Sequence, residues 1–169
     1  MIWKSAMQIL ERVSRVATGL AFFALIAVVI IQVLGRSVFL NSPVWTEELT
    51  RFCLLYLAAF GAGLAFRSGD LVNVDLVCES MPGRIPWLLR LISAAATATL
   101  CIALIVPAWT YTAIGAFQTS PALGWRMDLI HASVLVLLAS LGVFSLLRVV
   151  AMLTGLSDGK PLNNEEQNP

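Results

Sequence analysis

The sequence predicts an all-α membrane protein with four transmembrane helices, and three observations carry that prediction. About 59% of the 169 residues are hydrophobic. Only 12% are charged, against about 25% in a soluble domain. The uncharged residues fall into four long runs with charges at their edges. A water-soluble domain of this length buries roughly 70% of its surface and covers the rest with polar groups, so this composition would leave apolar surface in water. An ordinary soluble enzyme domain is excluded.

The first run, Val16 to Gly35, holds 20 residues without charge and follows Lys4, Arg12 and Arg15. A secretory signal has an apolar stretch of about 7 to 15 residues and a small-residue cleavage site. This run is longer and ends Val33-Leu34-Gly35-Arg36, so it reads as a retained span over about 16–36. The second run, Phe52 to Phe66, has 15 residues and is short for a span of about 20. Its helix therefore starts upstream: Ser42 suits an N-cap, Pro43 the first helical position, and Glu47 and Glu48 the positive end of the helix dipole. The span runs over about 43–67, with an interfacial amphipathic start at the membrane surface.

The third run, Leu91 to Trp125, has 35 uncharged residues. As one straight helix it would be ~52 Å long, well past a hydrocarbon core of ~30 Å, yet two spans and a turn do not fit. The resolution is a helix over about 86–112, bent where Pro107 removes the bond to the Ala103 carbonyl. An apolar surface loop from Gly115 to Trp125 follows, carrying Ser120-Pro121 and Gly124. The fourth run, Leu129 to Leu147, has 19 residues with His131 as its one titratable group, for a span over about 127–149. Residues 1–154 form a single transmembrane domain, and 155–169 a polar, cytoplasmic, disordered tail.

With four spans both termini share a side. On it lie Lys4, Arg12, Arg15, Arg67, Arg84, Arg90, Arg148 and Lys160; Arg36, Arg51 and Arg126 lie opposite. This bias places both termini in the cytoplasm. The near balance of 11 basic and 10 acidic residues excludes nucleic-acid binding, which needs a clustered basic excess. Cys53, Cys78 and Cys101 are too scattered for a disulfide framework or a C-x-x-C site. One histidine cannot build a bis-histidine haem or a metal cluster. No catalytic, cofactor-binding or metal-ligating set is expected.

The dense polar cluster near a span is Trp45-Thr46-Glu47-Glu48-Leu49-Thr50-Arg51. Arg51 lies four residues after Glu47 and three after Glu48, so it can pair with either on one helix face. The cluster reads either as an interfacial anchor, with Trp45 in the headgroup belt, or as a charged docking point for another subunit. A catalytic carboxylate pair would lack a nucleophile, metal ligand or pocket. A second cluster, Arg67-Ser68-Gly69-Asp70 with Val74-Asp75, suits a helix C-terminus, its glycine cap and acids folding back on loop cations. A short amphipathic segment on the cytoplasmic face is the alternative there.

Packing rather than hydrophobicity must join helices in lipid, and small residues four apart allow close approach. The second helix offers Ala58 with Ala62, Ala59 with Gly63, and Gly61 with Ala65; the third offers Ala94, Ala95, Ala96 and Ala98. Gly61 and Gly63 are the candidate packing glycines. His131, one turn after Asp128, could pair with it, although a lone histidine at a helix end is more often an interfacial hydrogen-bonder than a ligand. Arg36 reads as a snorkelling helix end.

Taken in order, these features resemble a known family. A basic N-terminus, a first span, W-T-E-E-L-T-R leading into a second span with F-G-A-G, then F-R-S-G-D and V-N-V-D-L-V, resemble the small membrane subunit of tripartite ATP-independent periplasmic (TRAP) transporters, the DctQ type. The resemblance covers about residues 10–150 and is most specific from Trp45 to Asp75. Two departures stand out. Asp70 is followed by Leu71-Val72 where the family pattern usually has a histidine, and Trp125-Arg126-Met127 replaces a frequent proline near the fourth span.

The resemblance implies a bacterial inner-membrane subunit with no cofactor. Its partners would be a large multi-span subunit that binds solute and sodium ions, a periplasmic solute-binding protein, and the lipid bilayer. It would scaffold the large subunit and add to the docking surface during uptake of an organic-acid-type solute. The absence of charge from the middles of the runs agrees with that, because ion paths tend to be marked by ionisable residues inside spans. Two other classes compete. One is an autonomous oligomeric carrier or channel with Glu47 and Glu48 at its mouth; the other, a membrane anchor of an oxidoreductase, would need haem or quinone ligands that one histidine does not supply.

Overall fold

The computed structural model describes residues 2–38, 43–68 and 85–156. They form four α-helices: α1 (Ile2–Val38), α2 (Val44–Ser68), α3 (Ile85–Gly115) and α4 (Met127–Leu153). Among the described residues there is no strand, only an isolated bridge between Thr119 and Arg126. Each helix supplies a stretch long and apolar enough to cross a membrane. The all-α, four-span fold class is therefore what the structure shows.

Local chemistry accounts for the helix ends. Pro43 stands just before α2, not inside it, and its carbonyl accepts both the Thr46 amide (3.0 Å) and the Thr46 hydroxyl (2.7 Å). The proposed cap Ser42 lies outside the described residues. Helix α3 runs through Pro107 without interruption and ends at Gly115, three residues later than expected. Threonine hydroxyls bond the backbone on either side of the proline's turn, Thr110 to the Val106 carbonyl and Thr112 to that of Ala108. The last turn then tightens into bonds from Ala116, Phe117 and Gln118 to the carbonyls three residues earlier, a common way for a helix to close. Helix α4 ends in a Schellman motif: Leu156 N donates to Ala151 O (2.9 Å), Gly155 N to Met152 O (3.3 Å), and Gly155 takes φ +71°, which glycine adopts without penalty. Arg90 lies five residues after the start of α3, inside the helix expected over about 86–112, and is buried.

The chain divides into two compact units. One comprises Met1–Gly61 and Val106–Leu137. Within it the Thr50 hydroxyl lies 3.4 Å from Gln32 Oε1, tying α2 to α1. The Tyr56 hydroxyl donates to the Leu129 carbonyl. At the α3–α4 corner the ring of His131 stacks on Tyr111, with centroids 3.9 Å apart, and its Nδ1 is 3.1 Å from the Tyr111 carbonyl. Asp128 instead pairs with Arg126 at 2.6 Å. The possible Asp128–His131 pair does not form: His131 meets the Tyr111 carbonyl and Arg126 takes the carboxylate. Gly115 makes this corner: a Cβ there would lie 2.5 Å from His131 Nδ1 and 2.8 Å from Asp128 N.

The other unit comprises Ala62–Ile105 and Leu138–Pro169, and small residues dominate its core. Ala94, Ala98 and Cys101 of α3 are buried, and a Cβ on Gly142 would lie 3.2 Å from that of Cys101. Gly63 faces α4 so closely that a Cβ would sit 2.4 Å from both Phe144 Cδ2 and Ser140 Oγ. The Ser140 hydroxyl is buried without a hydrogen-bond partner. Phe66 is buried, with the Arg148 guanidinium 5.5 Å from its ring centre.

Candidate functional site

The Trp45–Arg51 cluster occupies the first two turns of α2. Its threonine hydroxyls bond backbone carbonyls within the helix start, and Thr50 also lies within reach of Gln32 of α1. Thr46 is fully buried, its hydroxyl on the Pro43 carbonyl, and Thr50 bonds the Thr46 carbonyl at 2.8 Å. The acids are thereby left to reach off the helix.

They do not reach Arg51. Glu47 pairs with Arg36, the end of α1, at 3.7 Å. Glu48 turns to the α3–α4 loop, where one carboxylate oxygen accepts from the Ser120 hydroxyl and from the amides of Ala122 and Leu123, both at 3.2 Å. Arg51 stays exposed and acts on Glu48 through charge. Two neighbouring acids on a helix point about 100° apart, so they serve different partners, and a fixed loop with free amides outcompetes a long arginine side chain that must lose rotamer freedom to pair.

The loop is built to present those donors. Ser120 N donates to Trp125 O (2.8 Å), Gly124 N to Ser120 O (2.9 Å) and Met127 N to Gln118 O (3.0 Å), with Gly124 at φ +67°. The Ser120 hydroxyl also accepts from Leu123 N at 3.2 Å. Glu48 is the polar plug of this turn: the backbone groups at its tip have no helix or strand to satisfy them, and a carboxylate bonds them more strongly than a neutral acceptor would.

The structure thus joins Glu47 and Glu48 to residues far away in sequence, Arg36 and Ser120. Trp45 is partly exposed on the same helix start. Arg67 closes α2 in the other unit, away from this cluster in sequence. Asp70, Asp75, the Gly69 cap, the alternative amphipathic segment and the tail from residue 157 lie outside the described residues. Gly63 is a close-packing glycine; Gly61 is not, since a Cβ there would meet only Thr18 Cγ2, at 3.8 Å. Sequence reasoning missed Ser120, Ala122, Leu123 and Gly115. The available signal was the turn chemistry of Ser120-Pro121 and Gly124, but nothing in it names Glu48 as the partner.

Among the described residues no group of three or more His, Cys, Asp or Glu side chains could hold a metal ion. The arrangement joins the start of α2 to α1 and to the α3–α4 loop. The comparison with known families follows the same line. The model of the DctQ component of tripartite ATP-independent periplasmic transporters matches residues 25–155, more than three quarters of the chain. The chain belongs to the DctQ family.

As a DctQ component it is part of a transporter and a multi-pass protein of the bacterial inner membrane. The family match takes in the α2 cluster, the α3–α4 loop and the α4 cap. The chain is also similar to the sialic acid TRAP transporter permease protein SiaT of Haemophilus influenzae (strain 86-028NP), with 33% identity over 67 residues. That match covers 40% of this DctQ chain and 11% of the relative's length.

Proposed function

We propose that this DctQ chain is the non-catalytic small permease subunit that scaffolds a large, sodium-coupled membrane subunit, with a periplasmic binding protein delivering an organic-acid-type solute. The observation that carries the reading is the family match together with the placement of charge. Residues 16–35, 52–66, 91–125 and 129–147 contain no Asp, Glu, Lys or Arg, so the coupled ion crosses in a partner's core and not here. The named substrate of the similar SiaT permease is a sialic acid, itself an organic acid, which supports the solute class. Both termini are cytoplasmic, on the cation count.

In this reading the first turns of α2 face the periplasm and serve assembly. Glu47, Glu48 and Arg51, with Trp45, form the outer fastening; Arg67, Asp70 and Asp75 form the cytoplasmic one; Gly63 sets the helix packing between them. Replacing Glu47 and Glu48 together by alanine is expected to reduce co-purification with the large subunit and lower solute uptake in cells severalfold. Full assembly and uptake in the double variant would overturn the assembly role. Solute movement by the purified chain alone in vesicles would overturn the scaffold reading in favour of an autonomous carrier.

A further inference from the structure

The α3–α4 loop carries an exposed aromatic face that the scaffold reading does not use. Phe117, two residues past α3, is 92% exposed; Trp125, at the far end of the loop, is 50% exposed. Trp109 on α3 is 68% exposed and lies six residues before Gly115, ~9 Å along the helix. Trp45 stands one turn before Glu48, the residue that holds the loop. Most charges at this end are matched within the chain: Glu48 by the loop, Glu47 by Arg36, and Arg126 by Asp128. Arg51 acts on Glu48 through charge, so the acids and bases at this end balance.

What the loop presents is therefore aromatic and close to neutral. An indole joins a large apolar ring to one N–H donor, which suits the layer where acyl chains meet headgroups. A soluble partner recognised through charge would find little to read on this face. We propose that loop 116–126 is an interfacial anchor seated in the lipid headgroup layer through Phe117 and Trp125, and that Glu48 holds it in the shape that presents them. Ser120 and Leu123 lie between the two rings in sequence, and the Ser120–Trp125 backbone bond closes the turn, so the bonds to Glu48 fix where both rings point. Glu48 acts here as a positioning residue.

The test uses the full chain with Trp125 as its sole tryptophan (W3F, W45F, W87F, W109F), reconstituted in phosphatidylcholine vesicles brominated at shallow or deep acyl positions. Trp125 fluorescence should be quenched severalfold more by shallow than by deep bromines, and only weakly by aqueous iodide. In the same background Glu48→Ala should at least double iodide quenching and lower shallow-bromine quenching, while Glu48→Gln, which keeps an acceptor oxygen, falls between. Trp125 that iodide reaches as freely as a tryptophan amide in water, with no response to bromolipid, would overturn the proposal and assign the face to a soluble partner. Strongest quenching by deep bromines would also overturn it, and unchanged quenching in Glu48→Ala would remove Glu48 from it. Circular dichroism checks that helix content is kept. If Glu48→Ala fails to fold, Phe117→Ser serves instead: Trp125 should move toward water, and unchanged depth overturns the anchor. The large subunit is absent from every measurement, so this outcome is independent of the scaffold reading.

Discussion

Helix α2 is fastened differently along its length. Its first two turns send carboxylates off the helix to directed polar partners, Arg36 and the tip of the α3–α4 loop. Further along, at Gly63, it has no side chain at all, and Ser140 and Phe144 of α4 fill the space. At the polar end every contact competes with water, so each contributes modestly. Within a span there is no water to compete and no hydrophobic gain from leaving lipid, so shape decides which helices meet. The difference predicts that the smallest residue carries more of the fold than the charged ones.

Gly63→Leu tests the packed region and carries the largest expected effect. A Cβ alone would already stand 2.4 Å from Phe144 Cδ2 and Ser140 Oγ, below any distance real contacts adopt. Phe144 is buried and has little room to move, so overpacking should cost about 3 kcal/mol. Denaturant unfolding of the purified protein in detergent checks this. Stability within about 0.5 kcal/mol of the parent, the range of an ordinary surface change, would show that α4 yields easily and that shape is not decisive here.

Glu48→Ala tests the polar region. It removes the acceptor shared by Ser120, Ala122 and Leu123, and the loop amides must turn to water. Helices should survive while the loop loosens. A cysteine placed at Ala122 should then react with a water-soluble maleimide severalfold faster than in the parent. Glu47→Ala, which breaks only a partly exposed pair at 3.7 Å, should leave that rate unchanged and cost under about 1 kcal/mol. Equal labelling in all three proteins would mean that the loop keeps its shape without Glu48.

The two regions also differ in how far they could be read from the sequence. Four uncharged runs are enough to place four helices, because a charge at the bilayer centre costs at least ~2.5 kcal/mol and the chain must keep such residues at the ends. Glu48 could be singled out as an acid at a helix start, but its partners stand 72 to 75 residues away. Local spacing made Arg51 the obvious choice; the folded loop, with amides already facing the carboxylate, displaced it. At the α3–α4 corner His131 and Asp128, which spacing alone allows to pair, are likewise taken by Tyr111 and Arg126. Small residues in α2 flagged a packing stripe, yet spacing alone could not say which glycine meets another helix. Helix α3 continues three residues past its expected end, to Gly115, and closes there in bonds from Ala116, Phe117 and Gln118 to carbonyls three residues earlier.

Ser140→Ala sharpens the reading of the packed region with a smaller effect of opposite sign. The Ser140 hydroxyl is buried without a partner beside Gly63, and an unsatisfied polar atom costs about 1–3 kcal/mol. Alanine removes it without adding volume, so unfolding should shift toward higher denaturant by up to about 1 kcal/mol. A loss of stability would mean that the hydroxyl finds a partner in solution and that Gly63 meets a polar contact as well as a steric one.

Gly61→Ala should have the smallest effect, and it separates the two glycines that the sequence paired. Residues two apart on a helix point about 200° away from each other, so Gly61 and Gly63 cannot serve one interface. A Cβ on Gly61 would meet Thr18 Cγ2 at 3.8 Å, an ordinary contact, while alanine removes the helical cost of glycine, roughly 0.5–1 kcal/mol. The isolated chain should therefore be unchanged or slightly stabilised in the same unfolding assay. A loss above about 1 kcal/mol in the isolated chain would show that α1 approaches α2 more tightly there than 3.8 Å allows, because only a steric clash could outweigh the helix gain. A defect seen only when the large subunit is co-expressed would instead place the Gly61 face against that partner, leaving Gly63 to pack within the chain.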